Sequence, residues 1–371
     1  MAPLSGLPDL QELGREVFGR VPARSLVVPG RRLEVADPEE PLLAAVSRMW
    51  WRRVGALPVV ESPADGTRKR SAPGRLLGCV AEDDLLRLAG RLLVDHSATR
   101  EPGGPLPVWD ELLAGLRVRD AMVPAEELPV VHPDAPLLEA LDRACEHGGG
   151  GPRCRYILVG EGGPGEGGAP VGVISFRDVA RFVTSLYEGS RPGGRFAPPD
   201  RLAGLERDLR RVLDRFVGRL IEGADLGHRP VRISLDVDAA EGLVAIHRAG
   251  RGYGLACLPD GEPLAICTRR DVVRALADPF ADLRRIRMPQ LVTWDVKTVS
   301  PNGSLFSLFR RMALENCRHM PVTDEWGRAE RVISLWEAIW LLAHGSAPSA
   351  PGAGGSAKPA SSQSPPSAMS Q

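Results

Sequence analysis

No apolar run in this 371-residue chain approaches the roughly 20 residues a membrane-spanning helix requires, and the N-terminal stretch MAPLSGLPDLQELGREVF has no basic segment leading into an apolar core. The chain therefore reads as soluble and cytoplasmic. An excess of one charge is missing too: 47 Lys and Arg balance 47 Asp and Glu, so no global field steers the protein to nucleic acid or to an anionic membrane. Aromatic residues are scarce at 5%. The basic cluster GTRKR at 66–70 accordingly has no rings beside it on which bases would stack. Cysteines Cys79, Cys145, Cys154, Cys257, Cys267 and Cys317 are scattered without a C-x-x-C, which suits buried thiols in a reducing compartment better than disulfides or zinc. Walker A, G-x-S-x-G, H-E-x-x-H and kinase motifs are all absent. One string, GEGGPG at 160–165, fits G-x-G-x-x-G, but Pro164 interrupts it and the strand-like VGVIS follows instead of a helix that would offer its N-terminus to a pyrophosphate. No metal site is evident, an enzyme reading has no catalytic constellation to stand on, and no cofactor is expected; the expectation is a protein that is not an enzyme.

What is present is repetition. The stretch PVGVISFRDVARFV (170–183) reads as a strand running into a helix. The same phrase returns as RLLGCVAEDDLLRLAGRL (75–92), PLAICTRRDVVRALADP (263–279) and RVISLWEAIWLLAHG (331–345). Each copy is preceded by an amphipathic helix pattern with Leu or Phe at helical spacing, as in PDAPLLEALDRACEHG and PNGSLFSLFRRMALENC. Between helix and final phrase lies a short apolar strand: GALPVVE, RYILVGE, YGLACLPD and RHMPVTDE. The order strand, helix, strand, strand, helix thus occurs four times in an α/β chain.

This pattern resembles the CBS domain, named after cystathionine beta-synthase, most specifically in ALPVVE, GVISFRDVARF and RHMPVTDEWGR followed by VISLWEAI. The resemblance implies four CBS repeats paired into two Bateman modules, a plan similar to the gamma subunit of AMP-activated protein kinase. It divides the chain into an N-terminal helix (1–22), repeat 1 (23–95), repeat 2 (116–187), a linker with a connecting helix (188–228), repeat 3 (229–280), repeat 4 (285–344) and a tail (345–371). The connecting helix carries Leu202, Leu205, Val212, Phe216 and Leu220 on one apolar face, which is expected to pack on the second module. The tail is Pro, Ser, Ala and Gly with one charge, Lys358; it cannot build a core and is expected to be disordered.

The junction Ser175-Phe176-Arg177-Asp178 has the form of a capping box. In CBS domains that resemble this one, the same phrase also holds a nucleotide, usually an adenosine derivative. A carboxylate suits the paired ribose hydroxyls, while a hydroxyl and the helix N–H groups suit phosphate. The family positions fall on Ser175 with Asp178 and on Thr268 with Asp271. Repeat 1 keeps Asp84 but has Ala81 in place of the hydroxyl, and repeat 4 keeps Ser334 but has Glu337, one methylene longer. Cations for phosphate come, in the family, from just before the central strand of the neighbouring repeat. Arg52 and Arg53 are thereby expected at the Asp178 site, and Arg318 and His319 at the Asp271 site. Arg269 and Arg270 add a hint, since cations in a first helical turn oppose the macrodipole unless an anion compensates. The implied function is a regulatory protein that senses AMP, ADP or ATP in the clefts between paired repeats and passes their occupancy to a partner protein. A second copy of the chain is a further partner this allows. The alternative is a scaffold that keeps fold and caps but has lost its ligands, as the departures in repeats 1 and 4 suggest.

Overall fold

The computed structural model describes residues 7–27, 33–61, 74–99, 113, 115–146, 155–162, 168–188, 214, 218, 220–224, 226–278 and 286–345. Most of the hairpin loops of repeats 1 and 2, Cys154, the tail from 346 and, in the connecting segment, Leu202, Leu205, Val212 and Phe216 lie outside them. Helix α1 is Leu7–Arg20. Repeat 1 supplies α2 (Leu42–Arg52), β1 (Ala56–Val60), β2 (Leu76–Ala81) and α3 (Glu82–Thr99), so its last helix runs four residues past the expected end at 95. Repeat 2 supplies the short β3 (Val123–Pro124) and β4 (Val130–Val131), then α4 (Leu137–Glu146), β5 (Tyr156–Gly160), β6 (Pro170–Ser175) and α5 (Phe176–Glu188). In repeat 3 follow α6 (Ala239–Ala249), β7 (Tyr253–Cys257), β8 (Pro263–Thr268) and α7 (Arg269–Leu276). Repeat 4 has β9 (Thr293–Trp294), α8 (Leu305–Leu314), β10 (His319–Thr323), β11 (Ala329–Ser334) and α9 (Leu335–His344). No helix among the described residues is long and apolar enough to cross a membrane.

Each repeat is built on one antiparallel pair, with Ala56 opposite Ala81, Tyr156 opposite Ser175, Tyr253 opposite Thr268 and His319 opposite Ser334. A short parallel segment flanks each pair: Ala36 beside Val59, β4 beside β5, Arg232 beside Leu255 and Val299 beside Val322. Entry segments also cross between repeats. β3 of repeat 2 pairs with β2 of repeat 1, β9 of repeat 4 with β8 of repeat 3, and His228 ahead of repeat 3 with Val332 in β11.

The two-residue period of a strand explains why these central strands are apolar on both faces. In β5, Ile157 and Val159 face a helix-lined core while Tyr156 and Leu158 face the sheet of repeat 1, meeting Ala56, Leu76, Cys79 and Ala81. In β8, Ala265 and Cys267 face helices whereas Ile266 joins Leu255, Ala329 and Val332 between repeats 3 and 4. These sheet-to-sheet contacts make repeats 1 and 2 one module and repeats 3 and 4 another. The helices then bind module to module. Helix α3 packs on α6 and α7, so repeat 1 shares a core with repeat 3; α5 packs on α8 and α9, so repeat 2 shares one with repeat 4. Helix α1 joins the second of these cores through the fully buried Val17 and Phe18.

One expectation on the connecting segment is corrected. Leu220 is 45% exposed and its backbone forms a bridge with Ser304, so at that point the chain is extended and its side chain is not on a buried helix face. Cys79, Cys257, Cys267 and Cys317 are free thiols.

Candidate functional site

The four strand-to-helix junctions share one local geometry. The Asp178 carboxylate accepts the Ser175 N–H (3.0 Å) and hydroxyl (2.6 Å), and the Ser175 hydroxyl accepts the Asp178 N–H at 3.3 Å. Asp271 accepts from the N–H and hydroxyl of Thr268, at 2.8 and 2.9 Å. Glu337 does the same with Ser334, at 2.8 and 2.7 Å. Even without a hydroxyl, Asp84 accepts the Ala81 N–H at 2.8 Å. At every junction the acid of the first turn thus reaches back to the backbone N–H of the residue that opens the helix, the reciprocal half of a capping box. The surroundings of the four carboxylates differ beyond the caps. Asp271 also accepts the Thr293 hydroxyl (2.8 Å) and faces Arg274 at 3.4 Å. Glu337 faces His228 at 3.1 Å, and Asp84 is paired with Arg87.

Asp178, 9% exposed, lies on a cleft between repeats 1 and 2 of about 810 Å³ including its open mouth. Val54, Ala56, Val171 and Val173 give that cleft an apolar wall. Ser175, Asp178 and Glu34 line it together with three guanidinium groups, those of Arg53, Arg177 and Arg318. Arg53 ends α2 in the left-handed region (φ 54°), where its N–H caps the carbonyls of Met49 and Trp50. After the equivalent helices repeat 3 has Gly250 (φ 67°) and repeat 4 has Asn316 (φ 63°), residues that adopt this region with less strain than arginine. Arg177 hydrogen-bonds the neutral Asn316 side chain.

Behind the cleft, all four repeats meet in a charged cluster. Glu82, with no exposed surface, accepts from Arg318 of repeat 4, from Arg270 of repeat 3 at 2.9 Å and from the Tyr156 hydroxyl of repeat 2 at 3.5 Å. Asp83 pairs with Arg269 and faces Arg155 at 3.7 Å. Burial works against the Arg318 cation, but Glu82 and Tyr156 outweigh it and hold the guanidinium charged. Arg155, lacking so close a partner, is lowered to about 9 by burial and by its neighbours Arg269 and Arg318.

Several expected positions need correction. Arg318 lines the Asp178 cleft and is held by Glu82, rather than sitting at Asp271. His319 is 7% exposed and packs on the Tyr253 ring at 4.8 Å; burial, reinforced by Arg155 and Arg269, keeps its imidazole neutral and so unsuited to phosphate. Arg52 is solvent-exposed and faces Glu34 at 3.5 Å, so of the expected pair Arg53 alone lines the cleft. Arg269 and Arg270 do have compensating anions, but these are Asp83 and Glu82 of the chain itself. Glu82 and Asp83 of AEDD in repeat 1, which were not among the expected site residues, occupy the helix positions where repeat 3 has the arginines of TRRD. That complementarity was the available signal. No group of three or more potential metal ligands occurs among the described residues.

Burial raises the Asp84 carboxyl to about 6 against the lowering pull of Arg87 and of the Ala81 N–H. Because the folded value exceeds the unfolded one, the folded state holds the extra proton, and the stability linked to this group is full at low pH and lost as pH rises through about 4 to 6. Asp84→Asn removes that dependence. Urea denaturation at pH 4.5 and pH 7 should show the variant gaining on the parent by roughly 2 kcal/mol at the higher pH.

Residues 118–185 match the family model of the CBS domain. Among solved structures, protein MJ1225 from Methanocaldococcus jannaschii, described as a proposed archaeal homolog of g-AMPK, aligns with a TM-score of 0.62 at 14% identity, over 86% of this chain and 99% of that one. An uncharacterized conserved protein from Pyrococcus horikoshii aligns at 14% identity over 87% of this chain and all of its own, with a TM-score of 0.48. The CBS domain pair of protein MJ0100, solved with 5′-methylthioadenosine and S-adenosyl-L-methionine, aligns at 18% identity over 33% of this chain and 94% of its own, with a TM-score of 0.30. Comparison with curated proteins finds no match. Residues 118–185 therefore carry a CBS domain. The fold of the chain, four repeats paired into two Bateman modules, aligns over 86% of its length with the MJ1225 structure.

Proposed function

We propose that the chain is a regulatory protein, not an enzyme, that takes an adenine nucleotide in the cleft between repeats 1 and 2 and passes its occupancy to a partner protein. The observation that carries this is the joining, in one cleft, of an apolar wall, a buried carboxylate and several guanidinium groups. The wall suits a purine and Asp178 the paired ribose hydroxyls, while Arg53 and Arg177 suit phosphate through their forks of donors. Arginine in the left-handed region at position 53 fits this role, since backbone strain concentrates where a side chain is needed for function. A ligand there touches repeats 1 and 2 directly and adjoins Arg318 of repeat 4, so its binding bears on how the modules sit together.

The scaffold alternative applies to the other three junctions. Asp84, Asp271 and Glu337 do not line the cleft in which the apolar wall and the guanidinium groups come together. Calorimetric titration with AMP, ADP and ATP tests both statements. Asp178→Ala is expected to weaken binding by about 1.5–3 kcal/mol, the usual loss for hydrogen bonds to a charged group. Asp271→Ala should leave affinity unchanged and lower thermal stability through its cap by about 1 kcal/mol. If none of the three nucleotides binds the parent at millimolar concentration, the scaffold takes the place of the sensor throughout.

A further inference from the structure

A second, much tighter pocket shares Tyr156, Ser175, Arg177 and Arg318 with the cleft, and Arg155 and Trp336 line it as well. With the ribose of a nucleotide at Asp178 and its first phosphate on Arg53 and Arg177, added phosphates would have Arg318 as the remaining guanidinium of a wall that looks strongly basic. Most of that positive charge is already spoken for. Arg318 and Arg270 are bound by Glu82, whose side chain is 1% exposed, and Arg155 and Arg269 face Asp83. Arg53 and Arg177 are not among the arginines that Glu82 and Asp83 hold, and Arg177 hydrogen-bonds the neutral Asn316 amide. These two guanidinium groups line the cleft and match one phosphate dianion. A second phosphate claiming Arg318 would strip Glu82 of a partner and leave a buried carboxylate undercompensated, which is strongly unfavourable.

We propose that Glu82 is a built-in counter-anion that sets the charge of the ligand, so that the cleft takes a nucleoside monophosphate and rejects the added phosphates of a di- or triphosphate. This rests on the nucleotide reading of the same cleft, and the carboxylate acts through Arg318, without touching the ligand. It is a specificity-determining residue because an acid at that helix position, where repeat 3 has Arg269, converts an anion site for several phosphates into one for a single phosphate.

Titration of the native chain with AMP, ADP and ATP at fixed ionic strength decides the matter. AMP is expected to bind at least tenfold more tightly than ATP, with ADP between them. Glu82→Gln should shrink that preference at least tenfold, chiefly by improving ATP, while AMP changes less than threefold. The native ranking decides the question even if Glu82→Gln does not fold. AMP binding with ATP equal or tighter, or a folded Glu82→Gln chain whose preference for AMP over ATP is unchanged, overturns the role of Glu82 and leaves the nucleotide cleft standing. Binding of none of the three removes the nucleotide reading itself and the inference with it.

Discussion

Glu82→Ala is expected to lower the free energy of unfolding by about 3–5 kcal/mol, the loss typical of breaking a buried ion pair from one side. The carboxylate has no exposed surface and accepts from two arginines and a tyrosine that belong to three different repeats. Truncating it leaves Arg318, itself largely buried, without its counter-charge and beside Arg155, which burial and like charge already press toward deprotonation. Arg270 keeps only its place over the Trp50 ring, 5.6 Å from the centroid. The surface pair Arg75–Glu61, 3.5 Å apart with both side chains more than half exposed, serves as the control. Glu61→Ala should change stability by less than about 1 kcal/mol. Urea denaturation of both variants checks the contrast; a loss below 1 kcal/mol for Glu82→Ala would mean that water reaches the cluster and compensates the arginines.

Phe18→Ala should be comparably severe, by about 3–5 kcal/mol, because it removes a fully buried ring from a core that does not collapse around it. The ring sits with Val17 among residues of repeats 2 and 4, and α1 lies against α9 closely enough that a Cβ on Gly14 would come within 1.9 Å of the Ala343 carbonyl oxygen. Helix α1 is thus part of the intermodule core and not a detached leader to it. Unfolding curves that move by less than 1 kcal/mol would show the helix to be undocked.

The four strand-and-helix phrases were legible because a buried strand and an amphipathic helix each write their period into the chain, and the Ser175, Thr268 and Ser334 junctions were legible as caps because a cap is a contact three residues long. What the sequence did not disclose is lateral. That repeat 1 shares its core with repeat 3, and repeat 2 with repeat 4, depends on which outer helix faces fit together, and all four repeats present similar apolar stripes. The choice of charge partners has the same character. Arg318 and Arg270 were read as cations awaiting phosphate because their partner, Glu82, lies more than 180 residues away in sequence and is brought to them by the docking of the modules. The αL backbone of Arg53 was equally hidden, since the favoured residues for that position are glycine and asparagine and the sequence has neither there.

The central claim is one nucleotide cleft in a fold with four similar junctions, and counting bound ligand on the intact chain tests it most directly. Native mass spectrometry of the full chain with AMP at saturating concentration is expected to show one nucleotide per chain, reduced to none in Asp178→Ala and unchanged in Asp271→Ala. Three or four nucleotides per chain, or an Asp178→Ala spectrum identical to that of the parent, would contradict it.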